Sequence, residues 1–234
     1  MRVPALEIAG LVRTNGAGPG AFVLEVDRFV LRAGEAVAVA GVSGSGKSTF
    51  LDLAALAVPP DRAARLTVAG EDAVLFWRER RGEALARLRA RAIGYVLQTG
   101  ALLPFVSVSS NIALPQRLAG REDEARLRAL AESLGIASAL ERKPAALSVG
   151  QRQRAAIARA LAHRPALVLA DEPTASLHPE MADTVLELLV RETAASGAAL
   201  LLATHDPERA LRFGLPVVAI APVHGESRSR LAHG

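Results

Sequence analysis

Gly41-Val42-Ser43-Gly44-Ser45-Gly46-Lys47-Ser48-Thr49 decides how this chain folds. The stretch matches the pattern G-x-x-x-x-G-K-[ST] at every fixed position. Residues 35–40 before it are short and apolar, the pattern of a buried strand. Residues 50–56 after it have the pattern of the first turns of a helix. Strand, glycine loop and helix in that order make an anion cradle. Glycines let successive N–H groups converge on one point, and the helix start adds the positive end of its dipole. Gly41, Val42, Ser43, Gly44, Ser45, Gly46 and Thr49 are then expected to wrap phosphate. Lys47 would bind its outer oxygens, and the Ser48 hydroxyl would bind Mg²⁺. The plainer alternative is a Gly/Ser turn that only joins a strand to a helix. The lysine weighs against it: of 28 basic side chains only Lys47 and Lys143 are lysine. A compact ammonium fits among phosphate oxygens where a planar guanidinium does not.

At 234 residues the chain has the length of one α/β domain, or of one domain carrying an inserted lobe. Half of the residues are hydrophobic and only 3% aromatic, so the core is expected to be Leu, Val and Ala. The longest apolar run, residues 214–223, is about half the roughly 20 residues of a membrane span and contains two prolines. No charged-then-apolar leader opens the sequence. With zero cysteines, disulfides, thiolate metal sites and thiol catalysis are excluded. These features predict a soluble cytoplasmic protein. Six arginines lie between Arg78 and Arg91, interrupted by Glu79 and Glu83. A solvated helix face explains them; an anionic membrane surface or acidic partner is the alternative. No aromatic or glycine-rich nucleic-acid module accompanies them, so nucleic acid is not an expected partner.

Residues 3–12 and 22–30 have the pattern of paired strands around a Gly/Asn/Pro-rich turn at 15–20. Further strands are predicted at 66–69, 92–97, 166–170 and 198–203. Helices are predicted at 111–118, 122–134, 151–163 and 179–195, with Gly120 and Gly135 as stops. Continuous apolar strands alternating with helices mean a mostly parallel sheet covered on both faces. The Ser/Arg/Gly/His-rich stretch from His224 onward is expected to fray.

Three more stretches carry chemistry. Leu167–Ala170 would deliver Asp171 and Glu172 at the C-terminal end of a strand, where open α/β sheets bind ligands. Asp171 suits Mg²⁺, and Glu172 suits the water that attacks a phosphate. Two acids merely ending a strand is the bland alternative. Ser148-x-x-Gln151 is a capping box, and its serine, the glycine N–H of Gly150 and the helix start could also form a second anion site. One nucleotide needs one cradle, so a second site suggests a nucleotide held by a partner chain. Gln98 and His205 each follow an apolar strand, which would set them beside Glu172 at one sheet edge.

These stretches, in this order and over nearly the whole chain, resemble the ATP-binding subunit of ABC transporters. The resemblance implies an α/β fold: a P-loop NTPase core with a mostly parallel sheet, an N-terminal antiparallel β subdomain and an inserted helical subdomain. It places core and β subdomain at 1–98 and 156–234 and the helical subdomain at 99–155. Lys47 and Ser48 become Walker A, and Gln98 the glutamine that senses Mg²⁺ and the membrane partner. Ser148, Gly150 and Gln151 become the signature, Asp171 and Glu172 Walker B and the base, and His205 the switch histidine. It further implies ATP and Mg²⁺ as cofactors, a head-to-tail dimer with a second copy or a related ATPase subunit, and an integral membrane permease as partner. The location would be peripheral, on the inner face of the membrane. Residues 97–104 and 112–115 look most like the lipoprotein-release and macrolide-exporter branch.

Three positions depart from the family pattern. Val149 replaces a signature glycine; a β-branched residue disfavours positive φ, so helical or extended backbone is expected there. His178 stands where an aspartate is usual, removing a negative charge near the dimer seam. Asn15 aligns with the aromatic that stacks adenine, with Arg13 or Phe22 as possible substitutes. Other readings stay open: a regulatory or force-transmitting ATPase that moves no substrate, and a subunit with impaired hydrolysis. A chromosome or DNA-repair ATPase would need a long coiled-coil or zinc insertion between the phosphate loop and the signature, and that stretch has no sustained heptads.

Overall fold

The computed structural model describes residues 3–18, 21–223 and 227–232. Two long strands, β1 (Pro4–Asn15) and β2 (Phe22–Arg32), pair antiparallel along their length. Then come β3 (Ala36–Ala40), the phosphate loop and α1 (Lys47–Ala54). β4 (Arg65–Val68), β5 (Glu71–Asp72), α2 (Ala73–Arg78) and α3 (Gly82–Ala92) lead to β6 (Ile93–Val96). The arginine-rich stretch is thus two short helices. A helical run follows: α4 (Val108–Ala119), α5 (Glu124–Ser133) and α6 (Val149–Leu161). The chain continues through β7 (Leu167–Asp171), α7 (Pro179–Ser196), β8 (Ala199–Thr204), α8 (Pro207–Arg212), β9 (Val217–Pro222) and β10 (Arg228–Ala232).

The strands form one ten-stranded sheet in the order β5-β4-β1-β2-β10-β9-β3-β8-β7-β6. From β9 to β6 every neighbouring pair is parallel. The β5-β4-β1-β2 end is antiparallel. Because β3, β6, β7 and β8 run the same way, whatever follows each of them emerges at one edge.

Side chains of a strand alternate between faces, and here both faces are covered. Leu167, Leu169, Leu201 and Val39 turn to the side holding α1, where Phe50 meets Phe29 of β2 edge to face at 5.3 Å. Val168, Ala170, Leu200 and Leu202 turn to the side holding α4, α6 and α7. That two-sided burial is why β7 and β8 are apolar throughout rather than alternating.

The expectation that the chain frays from His224 is corrected. Residues 224–226 lie outside the described residues, but Arg228–Ala232 is β10, seated between β2 and β9. Its one large apolar side chain, Leu231, is fully buried. Arg228 and Arg230 reach Glu25 and Asp27 of β2. A strand whose charges are matched by its neighbour does not need an apolar sequence. Neither α8 nor β9 was expected from the sequence.

Candidate functional site

The loop after β3 curls as its glycines permit. Gly44 and Gly46 have φ of 79° and 99°, in the left-handed region. Gly46 caps α1 with no side-chain hydrogen bond, so the first N–H groups of α1 have no local acceptor. A Cβ on Gly46 would stand 2.9 Å from the Phe22 ring, so the close seat of that ring also requires glycine. Lys47 is buried and folds back over the loop. Its Nζ donates to Gly41 O at 2.8 Å and Val42 O at 3.2 Å, and lies 3.5 Å from Glu172 Oε1.

β7 ends in Asp171, and Glu172 follows with φ of 43°, an uncommon value for a residue with a Cβ. Its N–H donates to Ala203 O of β8 at 3.0 Å, and its Oε2 lies 2.6 Å from His205 Nδ1. The carboxylate of Glu172 therefore bridges the lysine of the loop and the histidine after β8. Asp171 Oδ1 is buried without a hydrogen-bond partner. Burial pushes the Asp171 carboxyl up; the hydrogen-bonded Ser48 hydroxyl opposes this, Glu172 adds to it and Lys47 opposes it.

A cavity of about 510 Å³ runs along these groups, lined by Gln98, Asp171 and Glu172 and also by Asn15, Phe22 and Thr49. Asn15 Nδ2 donates to Thr49 Oγ1 at 2.6 Å. Of the proposed substitutes for a stacking aromatic, Phe22 lines the cavity. Arg13 is held away from it by Pro59 O and Asp61.

Ser148, Gly150 and Gln151 lie apart from this cavity. Ser148 caps α6 with both bonds of the capping box: its Oγ accepts from Gln151 N at 3.2 Å, and its N–H donates to Gln151 Oε1 at 3.0 Å. Val149 is the first residue of α6, so its backbone is helical, and the helix starts two residues before the predicted Gln151. Gln98 borders both the phosphate cavity and a second one of about 310 Å³ that reaches Val149 and Ser176.

A model of the family described as "ABC transporter" matches residues 24–175, which contain the loop, Gln98, Ser148 to Gln151, Asp171 and Glu172. The chain belongs to the ABC transporter family. The Ruegeria sp. (strain TM1040) lipoprotein-releasing system ATP-binding protein LolD is 42% identical over 89% of this chain and 92% of its own length. LolD 2 of Caulobacter vibrioides is 41% identical over 97% of this chain and 98% of its own. Among solved structures, the dimeric ABC transporter cassette MJ0796 superposes with a TM-score of 0.79 at 27% identity, covering 92% of this chain and 93% of that one. A post-hydrolysis dimer of MJ0796 bound to ADP and Pi superposes at 0.77 and 30% identity, with the same coverage. The fold is that of an ABC ATPase domain, with the antiparallel strands and mostly parallel sheet expected from the sequence.

The residues present suit Mg²⁺. The buried, unpartnered Asp171 Oδ1 and the Ser48 hydroxyl are hard oxygen donors side by side. Among the described residues no group of three or more His, Cys, Asp or Glu could hold a metal without further ligands. Mg²⁺ commonly completes its shell with substrate phosphates and water, and the adjoining loop is where phosphates would sit.

One neighbour of the site was missed in the sequence. Asp52 of α1 is pushed up by burial and by Asp171, with the Tyr95 hydroxyl opposing. Burial and the same two carboxylates push Tyr95 up as well. The signal was spacing: Asp52 is four residues after Ser48, on the same face of α1.

Proposed function

We propose that this ABC ATPase binds ATP between two copies of itself and hydrolyses it to drive a separate membrane permease. The observation that carries the reading is Glu172 held between Lys47 and His205 at 3.5 and 2.6 Å, at the mouth of the glycine loop. A triphosphate in the loop would draw Lys47 from its carbonyl partners onto phosphate oxygens. The γ-phosphate end then faces Glu172 and Gln98, and the base end faces Asn15 and Phe22. Glu172 accepts a proton from the attacking water and orients it in line; His205 holds the carboxylate in place. Asp171, Ser48 and Gln98 would hold Mg²⁺, which neutralises charge on the phosphates. Glu172 keeps its unusual backbone through its N–H bond to β8; such strain is common where geometry matters to chemistry.

Ser148 is exposed and Gln151 half-covered at a helix start, with Gly150 buried between them, all away from this chain's own cavity, which suits a nucleotide held by a second copy. We read residues 99–155 as the helical lobe that carries them, and 1–98 with 156–234 as core and β subdomain. The permease would dock in an apolar groove of about 270 Å³ lined by Leu97, Leu114, Pro115 and Leu118. Leu97 lies in this groove while the next residue, Gln98, lines the phosphate cavity, so movement at one reaches the other. Among the described residues no helix is long and apolar enough to cross a membrane, so attachment to the inner face of the membrane would run through the permease. The LolD relatives make lipoprotein release the cargo class to test first.

Glu172→Gln tests the reading. The variant should bind ATP as tightly as wild type, lose at least about a hundredfold in turnover, the scale general-base loss gives, and run as a dimer when loaded with Mg-ATP. Near-normal hydrolysis, or a strictly monomeric loaded variant, would reject it.

A further inference from the structure

Gly150 is the second residue of α6, between the exposed Ser148 and Val149 on one side and Gln151 on the other, yet it is buried. What covers it is Met181, from the first turn of α7. A Cβ built on Gly150 would stand 2.5 Å from Met181 Sδ, 3.3 Å from Cγ and 3.5 Å from Cε. The thioether end of the side chain lies on the glycine, and any Cβ there would have to push it aside. Met181 is nevertheless 42% exposed, so solvent reaches the residue. The chain has two methionines and no cysteine, and the other methionine is Met1. Thus the one internal sulfur of the protein touches the start of the serine-led helix.

We propose that Met181 is an oxidation site through which a hydroperoxide disables the Ser148–Gln151 face. A lone pair of Sδ attacks the outer oxygen of hydrogen peroxide and the O–O bond breaks. An S–O bond forms, and the departing hydroxide leaves as water with the remaining peroxide proton. Sulfur loses two electrons and the peroxide gains two. The sulfoxide is larger and polar, and its contact with Gly150 is a poorer one than the thioether's. Either Met181 swings away and uncovers Gly150, or the first turn of α6 yields; both loosen the capping box. The consequence for turnover rests on the proposed role of Ser148 and Gly150 toward a partner's nucleotide.

The test treats the full chain with hydrogen peroxide and maps the added oxygen by peptide mass. Amide exchange across residues 148–153 and steady-state ATPase are then compared before and after. Met181 sulfoxide should form, exchange at Ser148 and Gln151 should rise about fivefold, the scale of a lost helix cap, and ATPase should fall. Methionine sulfoxide reductases should restore both. Met181→Leu, of similar shape without the sulfur, should hold both values through treatment. Oxidation confined to Met1, a Met181 sulfoxide with unchanged exchange, or equal inactivation of Met181→Leu would each overturn the proposal. If the untreated chain shows no ATPase, the functional reading fails, while the exchange measurement still decides the fate of Met181.

Discussion

Asn15 lines the cavity beside the phosphate loop, where we propose the nucleobase sits, and it offers an amide bonded to Thr49 rather than a ring. Base stacking on an aromatic is worth about 1–3 kcal/mol, so Asn15→Tyr should tighten ATP about tenfold by calorimetry and leave inorganic triphosphate binding unchanged. His163 makes a different prediction. Burial pushes its imidazole down to about 4 from 6.5, against the hydrogen bond of Nε2 to Ile93 O and with Arg121 adding to the fall. The folded value is the lower one, so the unfolded chain takes the proton first as pH drops. Stability from this group is whole above about pH 6.5 and is lost toward pH 4, on the order of 3 kcal/mol in all. His163→Gln, which cannot titrate, should lose less stability than wild type between pH 7 and pH 4.5 in urea unfolding. The sequence showed Asn15 because its place before the loop is set by alignment. It did not show His163 as a buried base, because burial comes from the packing of α6 on β6.

Helix ends differ in how much of them the sequence discloses. The Ser148–Gln151 box is local, and both of its bonds form as the spacing predicts. His178 occupies the N-cap of α7, with extended backbone, but its side chain makes no cap bond. An aspartate there could accept from the first turn and complement the dipole, so His178→Asp should raise stability by about 1 kcal/mol. Thermal unfolding would measure it, and an unchanged midpoint would mean the N–H groups of α7 are satisfied otherwise. Strands β7 and β8 were legible because burial on both faces leaves an unbroken apolar run. β10 was not: Arg228, Ser229 and Arg230 look like a tail until Glu25 and Asp27 stand beside them.

The molecule as a whole sets two surfaces back to back: a polar cavity built on the phosphate loop and an apolar groove behind Gln98. Leu118 is 67% exposed on the groove and touches nothing in the phosphate cavity. Leu118→Glu should therefore leave basal ATPase unchanged and abolish co-purification with the proposed permease. Retained co-purification would move the docking site elsewhere. The sequence by itself determined the glycine cradle with Lys47 and Ser48, the Asp171–Glu172 pair, the Ser148 cap and the parallel sheet. Each of these is written within a few consecutive residues or in a strand-length pattern. Only the tertiary structure decided that Glu172 meets both Lys47 and His205, that Met181 covers Gly150, and that β10 joins the two halves of the sheet. Those contacts join positions far apart in the chain, and no local pattern encodes the strand order and register that bring them within bonding distance.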